Sequence, residues 1–511
     1  MTTQSTYVTD MLARRAMLTP DRPALTDTAD GSEITFAAWD ERVNRTVRYL
    51  RRLGVQRGDR VAVYSSNRAE YLDLFWAAGR MGAILQNLNW RLTVHELEAI
   101  VADGEPAVVA YSPEWAENVA RLRPGFSTVS HVVAFEGPEA GDRHFAERFD
   151  EPAGPVERPD LGMDDAWGIY YTGGTTGLPK GAVLTHGNIT WNSVNTITSW
   201  GLHAGHAAAL QLPFFHVGGP NIFMVPLVHV GGRTILCVGF DADQTFDLIA
   251  GGGLTHYVAV PTMYQMMQEH PRWEEADFSH MELVISGGAP CPLPIMERFW
   301  EKGVDFKMGY GLTEATANNF WLPPEDVRRK PRSVGYPIMH IDMRVVRPDG
   351  TPCAPDEEGE LLIRGPHVMR EYWRRPEATA ETIVDGWLHT GDVARRDADG
   401  CYTIMGRSKD MFISGGENVY PAEVESVMHA HPDVVEAALI GVPDLKWGEV
   451  GRAFVVRRQG STLTGDDLVA FLGERLARYK LPRTVVFLDA LPMTVIGKID
   501  KKLLAAEGGG S

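Results

Sequence analysis

Apolar residues recur at helical spacing over Val43 to Leu53 and again over Tyr71 to Met81, and between them Arg60-Val61-Ala62-Val63-Tyr64 reads as a strand. This alternation predicts parallel sheets covered by helices. Further strands are expected at Ala166 to Tyr171, Ala207 to Leu212, Thr234 to Val238, Tyr257 to Val260 and Leu283 to Ser286, several of them ending in Gly or Pro turns. Such turns form ligand crevices at the carboxyl ends of α/β sheets. Between about 137 and 162 the chain becomes polar and rich in Pro, Gly and charge, and is read as a surface connection between two lobes. After residue 330, short β segments separated by turns such as Pro348-Asp349-Gly350 and Asp399-Gly400 predict a small barrel or packed sheet. Three charges beside Gly406, between strands at Tyr402 to Met405 and Met411 to Ser414, mark a boundary. The expected organisation is α/β: a domain over 1–405, with two parallel-sheet lobes and a β-barrel-like subdomain, a joint at 406–410, and a small α+β domain over 411–511.

With 511 residues, 44% of them hydrophobic, the chain can bury more than one core. The first residues lack a cationic segment followed by an apolar run, so no signal peptide is expected. The longest apolar stretch, Ile222 to Val230, is interrupted by Pro226 and is too short for a bilayer, so no transmembrane segment is expected. Cys237, Cys291, Cys353 and Cys401 show no paired spacing, which suits packing roles in a cytoplasmic protein. The net charge of −18 provides no broad footprint for nucleic acid. Residues 406–511 carry 13 Lys and Arg against 14 Asp and Glu, so the acidity resides in the first 405 residues. The terminal Gly-Gly-Gly-Ser is left out of the fold reading.

The most informative segment is Tyr170-Tyr171-Thr172-Gly173-Gly174-Thr175-Thr176-Gly177-Leu178-Pro179-Lys180-Gly181. Glycines let backbone N–H groups approach an anion, the threonines add hydroxyl donors and Lys180 adds a full positive charge. The segment suits phosphate. It is not a Walker A loop, because Pro179 precedes Lys180 and Gly181 follows it where that loop needs Gly-Lys-Ser/Thr.

The segment resembles the phosphate loop of the adenylate-forming superfamily, which includes acyl-CoA synthetases, luciferases and peptide-synthetase adenylation domains. Four more segments match in order: GYGLTEAT at 309–316, WLHTGD at 387–392, GRSKDMFISGGENVYPAEVE at 406–425 and PMTVIGKIDK at 492–501. The resemblance implies an AMP-forming acid:CoA ligase using ATP, Mg²⁺ and CoA. The acid would first become an acyl-adenylate with release of pyrophosphate, then a thioester.

Residue by residue, the resemblance places Lys498 against the carboxylate and α-phosphate, where an ammonium stabilises developing charge. Glu314 is the implied Mg²⁺ ligand. Thr172, Gly173, Gly174, Thr175, Thr176, Gly177 and Lys180 would hold phosphates, with Gly173 standing where serine is usual. Tyr310 would stack on adenine opposite Gly288, Ala289 and Pro290, and Gly309, Gly311 and Thr313 would complete that wall. Asp392 and Arg407 would serve the ribose and phosphates. Lys409 occupies the hinge position, about which a mobile C-terminal domain would replace the Lys498 loop with the CoA-binding Ser414, Gly415 and Gly416.

His216 resembles the aromatic gate beside the carboxylate, where amino-acid-activating relatives usually carry aspartate. Pocket positions are Phe215, His216, Val217, Asn221, Phe223, Met263 and Met308, mostly apolar. The expected acid is a medium- or long-chain fatty acid, with aryl or phenylpropanoid acids as the alternative. A carrier-protein-loading enzyme and a catalytically silent nucleotide-binding protein are the rival readings; Lys498, Glu314 and Lys180 together count against the latter. Any self-association is expected to be a homodimer.

Overall fold

The computed structural model describes residues 8–138, 142–172, 179–414, 417–444, 447–476, 478–494 and 499–507. Its first lobe is an eight-stranded sheet in the order 371–372, 180–185, 166–172, 84–87, 60–64, 108–111, 131–134 and 143–144. The strand at Arg60–Tyr64 lies parallel to Ile84–Asn87 and Val108–Tyr111. Val61 to Tyr64 are all buried, which explains why this strand is continuously apolar rather than alternating. Helices Phe36–Arg52 and Ala69–Met81 accompany it, and Thr35 starts the first by accepting a hydrogen bond from the Ala38 N–H (3.2 Å).

The second lobe is a seven-stranded sheet ordered 306–308, 283–286, 256–259, 207–210, 233–236, 23–27 and 33–35. The expected strand Leu283–Ser286 forms with those bounds, and the others fall within two residues of expectation. Pro23–Asp27, from near the N-terminus, lies parallel to Arg233–Leu236 and so binds the start of the chain into this lobe. The stretch around Pro226 forms a π-helical turn, Pro220–Met224, that continues as an α-helix, Val225–Val230.

The segment expected to connect the lobes does otherwise. Arg143–His144 pairs parallel to His131–Ala134 as an edge strand, and Phe145–Asp150 forms a 3₁₀ helix with Phe145 and Arg148 buried. Arg148 is paired with the buried Asp73 (3.1 Å), and Arg48 donates to the carbonyls of Pro152, Gly154 and Pro155. Its polarity reflects arginine-to-carbonyl clamping against one lobe. The chain then re-enters the same sheet at Ala166–Thr172.

The third layer is an antiparallel sheet of Asp342–Val346, Glu358–Arg364, Ile383–Val384, Trp387–Arg396 and Tyr402–Arg407. Its Leu361, Ile363, Leu388 and Tyr402 share a core with Phe223, Val258 and Ile285 of the second lobe. Beyond residue 410, a five-stranded sheet packs against the helix Pro421–Met428 through Phe412, Val424, Leu439 and Val455. No helix among the described residues is long and apolar enough to cross a membrane.

Burial holds His186 at about 4, and His256 and His367 at about 3, below the ordinary histidine value. These rings stay neutral in the fold, whereas in the unfolded chain they gain protons below about pH 6.5. Stability is therefore complete above that pH and falls as pH drops towards 4, each ring contributing roughly 1.4 kcal/mol per pH unit. Urea midpoints measured from pH 7.5 to 5 should fall, and His367→Gln should flatten the slope by about one proton's share. Equal midpoints across that range would show that the rings are protonated in the fold.

Candidate functional site

The segment read as a phosphate loop joins two paired strands, Ala166–Thr172 and Lys180–Thr185. Thr172 closes its base, the Oγ1 donating to the Lys180 carbonyl (3.3 Å). Gly173, Gly174, Thr175, Thr176 and Gly177 lie outside the described residues, as do Gly415, Gly416 and Lys498. Met493 and Ile499, which flank Lys498, pair in an antiparallel bridge.

Glu314 sits on a short 3₁₀ turn, Thr313–Ala315, built by close backbone approach. A Cβ on Gly311 would lie 1.6 Å from the Ala317 carbonyl oxygen, so only glycine fits there. Thr316 and Ala317 both take positive φ, at 47° and 82°. The turn is clamped from outside: Met369 N–H donates to the Glu314 carbonyl (2.7 Å), and Thr316 Oγ1 donates to the His367 carbonyl (2.6 Å). Tyr372 donates its hydroxyl to Glu314 Oε1 (2.7 Å), and the same ring lies 5.1 Å below the Lys180 ammonium. Hence a carboxylate and a cation from different elements converge beside the phosphate loop. A hard divalent cation takes carboxylate oxygen together with phosphate and water, and Glu314 with its Oε2 free of that bond suits one.

Tyr310 packs edge-on against Phe320 (5.7 Å) and donates its hydroxyl to Asp392 Oδ2 (2.5 Å). Burial and the facing carboxylate raise the Tyr310 hydroxyl well above its ordinary value, which keeps it a donor. Arg407 pairs with the other oxygen, Asp392 Oδ1 (3.0 Å), because the two residues are direct cross-strand partners. Gly288 takes φ +80° on the loop after Leu283–Ser286, and Ala289 and Pro290 beside it are exposed. Gly309 follows the neighbouring strand, its N–H donating to the Ser286 carbonyl (2.7 Å). Gly288 and Gly309 follow adjacent strands at the carboxyl end of the second sheet.

The His216 turn lies at the junction of the lobes. Phe214 N–H donates to Asn67 Oδ1 (2.9 Å), tying the turn to the first lobe. Phe215 is buried edge-on against Trp90 (5.6 Å) and stands next to the half-buried His216 ring (4.4 Å). A small cavity of about 10 Å³ lies behind the turn, lined by Ala209, Leu210, Leu212, Gly218, Gly219, Ile222, Phe223 and Val258. Of the expected pocket residues, only Phe223 borders it. Val217 belongs to the first-lobe core, and Met263 belongs to the second-lobe core with Met308 packed against it. Asn221 is wholly buried, donating to the Val217 carbonyl (3.0 Å) and accepting from Asn192 (2.8 Å), so it builds the π turn from behind.

Lys409 lies on the 3₁₀ turn Ser408–Asp410, after Gly406 at φ +148°. Ser414 is buried at the end of its strand. Elsewhere, the ligand atoms of His203, His206 and Glu282 lie within 4.8 Å of one another. Gly205 N–H donates to His203 Nδ1 (3.0 Å) and His203 N–H to His206 Nδ1 (3.3 Å), which puts both ring protons on Nε2. His206 Nε2 then donates to Glu282 (3.0 Å), a hydrogen bond that leaves neither ring a free nitrogen lone pair for a metal.

Residues 12–373 match the family model described as AMP-binding enzyme, and residues 423–498 match its C-terminal domain model. The chain is 43% identical over 490 residues to the feruloyl-CoA synthase of Amycolatopsis sp., covering 96% of each chain. It is 36% identical to the long-chain-fatty-acid–CoA ligase FadD13 of Mycobacterium tuberculosis, covering 97% of each. The ATP-bound structure of MatB from Rhodopseudomonas palustris superposes with a TM-score of 0.88 at 33% identity over 99% of each chain.

Gly311→Ala should force the Glu314 turn open, at a cost of roughly 3 kcal/mol if the backbone yields. Thermal melting should shift downward and ATP binding measured by calorimetry should weaken. A variant with wild-type melting and wild-type ATP affinity would mean that the turn tolerates a side chain at 311.

Proposed function

Since the chain belongs to the AMP-binding enzyme family as an ATP-dependent, AMP-forming acyl-CoA ligase, we propose that its substrate is an aromatic acid of the phenylpropanoid class. The observation that carries this reading is the chain's 43% identity over 490 residues to a feruloyl-CoA synthase. Phe223, which borders the small cavity behind the His216 turn, is packed edge-on to Trp200 (5.8 Å) and His256 (5.7 Å). The higher identity to a feruloyl-CoA synthase than to a fatty-acid ligase supports the same choice, reversing the fatty-acid preference expected from sequence.

In this reading Lys180 and the threonines of the loop hold the phosphates, and Tyr310 presents its ring to adenine. Asp392 accepts from the ribose hydroxyls, exchanging the contacts it makes with Tyr310 and Arg407. Glu314 is the residue that would hold Mg²⁺, which when bound with ATP neutralises phosphate charge. Lys498 stabilises the charge that develops as the acid oxygen attacks the α-phosphorus and pyrophosphate leaves. His216 and Phe215 close over the carboxylate. The module beyond 410 then rotates about Lys409, bringing the segment after Ser414 to the CoA thiol, which attacks the acyl carbonyl and releases AMP. Domains over 1–405 and 411–511, a cytoplasmic location and a homodimer complete the proposal.

A panel of acids from C2 to C18 with benzoate, cinnamate and ferulate, scored for CoA-dependent AMP release, tests the substrate. Ferulate or cinnamate should give the highest kcat/KM; a maximum at C12 to C18 would overturn the aromatic reading. Lys498→Ala should lose roughly 100- to 1000-fold in adenylation, the scale of one preorganised electrostatic donor, while thioester formation from supplied acyl-adenylate survives. Equal loss in both half-reactions would contradict the rotation.

A further inference from the structure

Tyr372 lies outside the sequence motifs from which the site was assembled, yet it touches two of their charged groups. Backbone pairing fixes its position: Glu371–Tyr372 runs antiparallel to Lys180–Thr185, with Tyr372 opposite Ala182, and Trp373 N–H donates to the Gly181 carbonyl (2.7 Å). Thr379 Oγ1 accepts from the Tyr372 N–H (2.9 Å). The residue is only 7% exposed, so its ring is fixed by packing. From that position the hydroxyl donates to Glu314 Oε1 (2.7 Å) and the ring face meets Lys180 Nζ at 5.1 Å, within range of a cation–π contact.

We propose that Tyr372 is a positioning residue that orients the Glu314 carboxylate for a divalent cation and holds the Lys180 ammonium at the edge of the phosphate loop. The inference rests on the reading of Glu314 as the cation ligand. A carboxylate with one oxygen engaged by a fixed hydroxyl presents the other in a defined direction, whereas an unengaged carboxylate rotates. The arrangement also joins two chain segments that are far apart in sequence, because Glu314 follows the second sheet while Lys180 belongs to the first. Tyr372 bridges them with one side chain.

The two contacts separate by substitution. Tyr372→Phe keeps the ring beneath Lys180 and removes the hydroxyl; Tyr372→Ala removes both. With ATP present and no acid, Mn²⁺ binding followed by electron paramagnetic resonance should weaken about 10- to 100-fold in Tyr372→Phe, the usual cost of losing a group that orients a metal ligand. ATP affinity without divalent cation should be unchanged in Tyr372→Phe and reduced in Tyr372→Ala. In the Glu314→Gln background, Tyr372→Phe should add little, because the group it orients no longer carries the charge. Wild-type Mn²⁺ affinity in Tyr372→Phe, or full additivity with Glu314→Gln, would overturn the proposal. Failure of the wild-type protein to hold Mn²⁺ with ATP would instead overturn the cation reading of Glu314, and this inference with it. Thermal melting distinguishes either outcome from misfolding, since Tyr372→Phe fills the same space and should melt like the wild type.

Discussion

The site depends on one pairing of backbone: the short strand Glu371–Tyr372 lying against Lys180–Thr185 at the edge of the first sheet. That pairing brings the chain leaving the third layer alongside the outgoing arm of the phosphate loop. The same passage sends Met369 N–H to the Glu314 carbonyl and Arg370 N–H to the Val183 carbonyl, so the turn bearing Glu314 is stitched between two layers. Without it, the residues at 311–317 would have to keep two positive-φ non-glycine positions with no external clamp. The strain is tolerated because the surrounding hydrogen bonds over-determine it.

Charge is arranged on the same economical plan. An acidic protein that binds a polyanion needs local cations whose carboxylate neighbours are already occupied. Asp392 satisfies this requirement, with one oxygen taken by the Tyr310 hydroxyl and the other by Arg407. Glu314 is tied on one side by Tyr372, and Lys180 rests over an aromatic face. Neither charge is left to drift in the cleft. Buried histidines elsewhere stay neutral, so the fold does not add competing positive charge inside its cores.

Much of this was legible in the sequence wherever the signal was local. The strand at Arg60–Tyr64 and the strand at Leu283–Ser286 have the expected bounds, because burial on both faces writes a continuous apolar run into the chain. Non-local pairing left no such mark. Nothing in Pro23–Asp27 announces a partner at Arg233–Leu236, and the polar stretch after 137 concealed an edge strand because its carbonyls are satisfied by arginines from the helix Phe36–Arg52. A π turn has a different side-chain period from an α-helix, so it directs Ile222 to the void and Asn221 into the core. Tyr372 escaped notice because its importance comes from register with strand 180–185.

The register of Asp392 with Arg407 carries the argument one step further. Arg407 is the last residue of its strand, and the 3₁₀ turn bearing Lys409 begins at the next residue. Gly406 adopts a φ of +148°, a backbone state that side chains disfavour, immediately before that pair. The proposed rotation would therefore pivot next to a residue whose guanidinium already contacts Asp392, the carboxylate proposed for the ribose. On that proposal, nucleotide would compete with Arg407 for Asp392, and release of Arg407 would remove a restraint at the edge of the joint. Occupancy of the ribose site and freedom of the joint are then linked through one ion pair, without a longer path through the core.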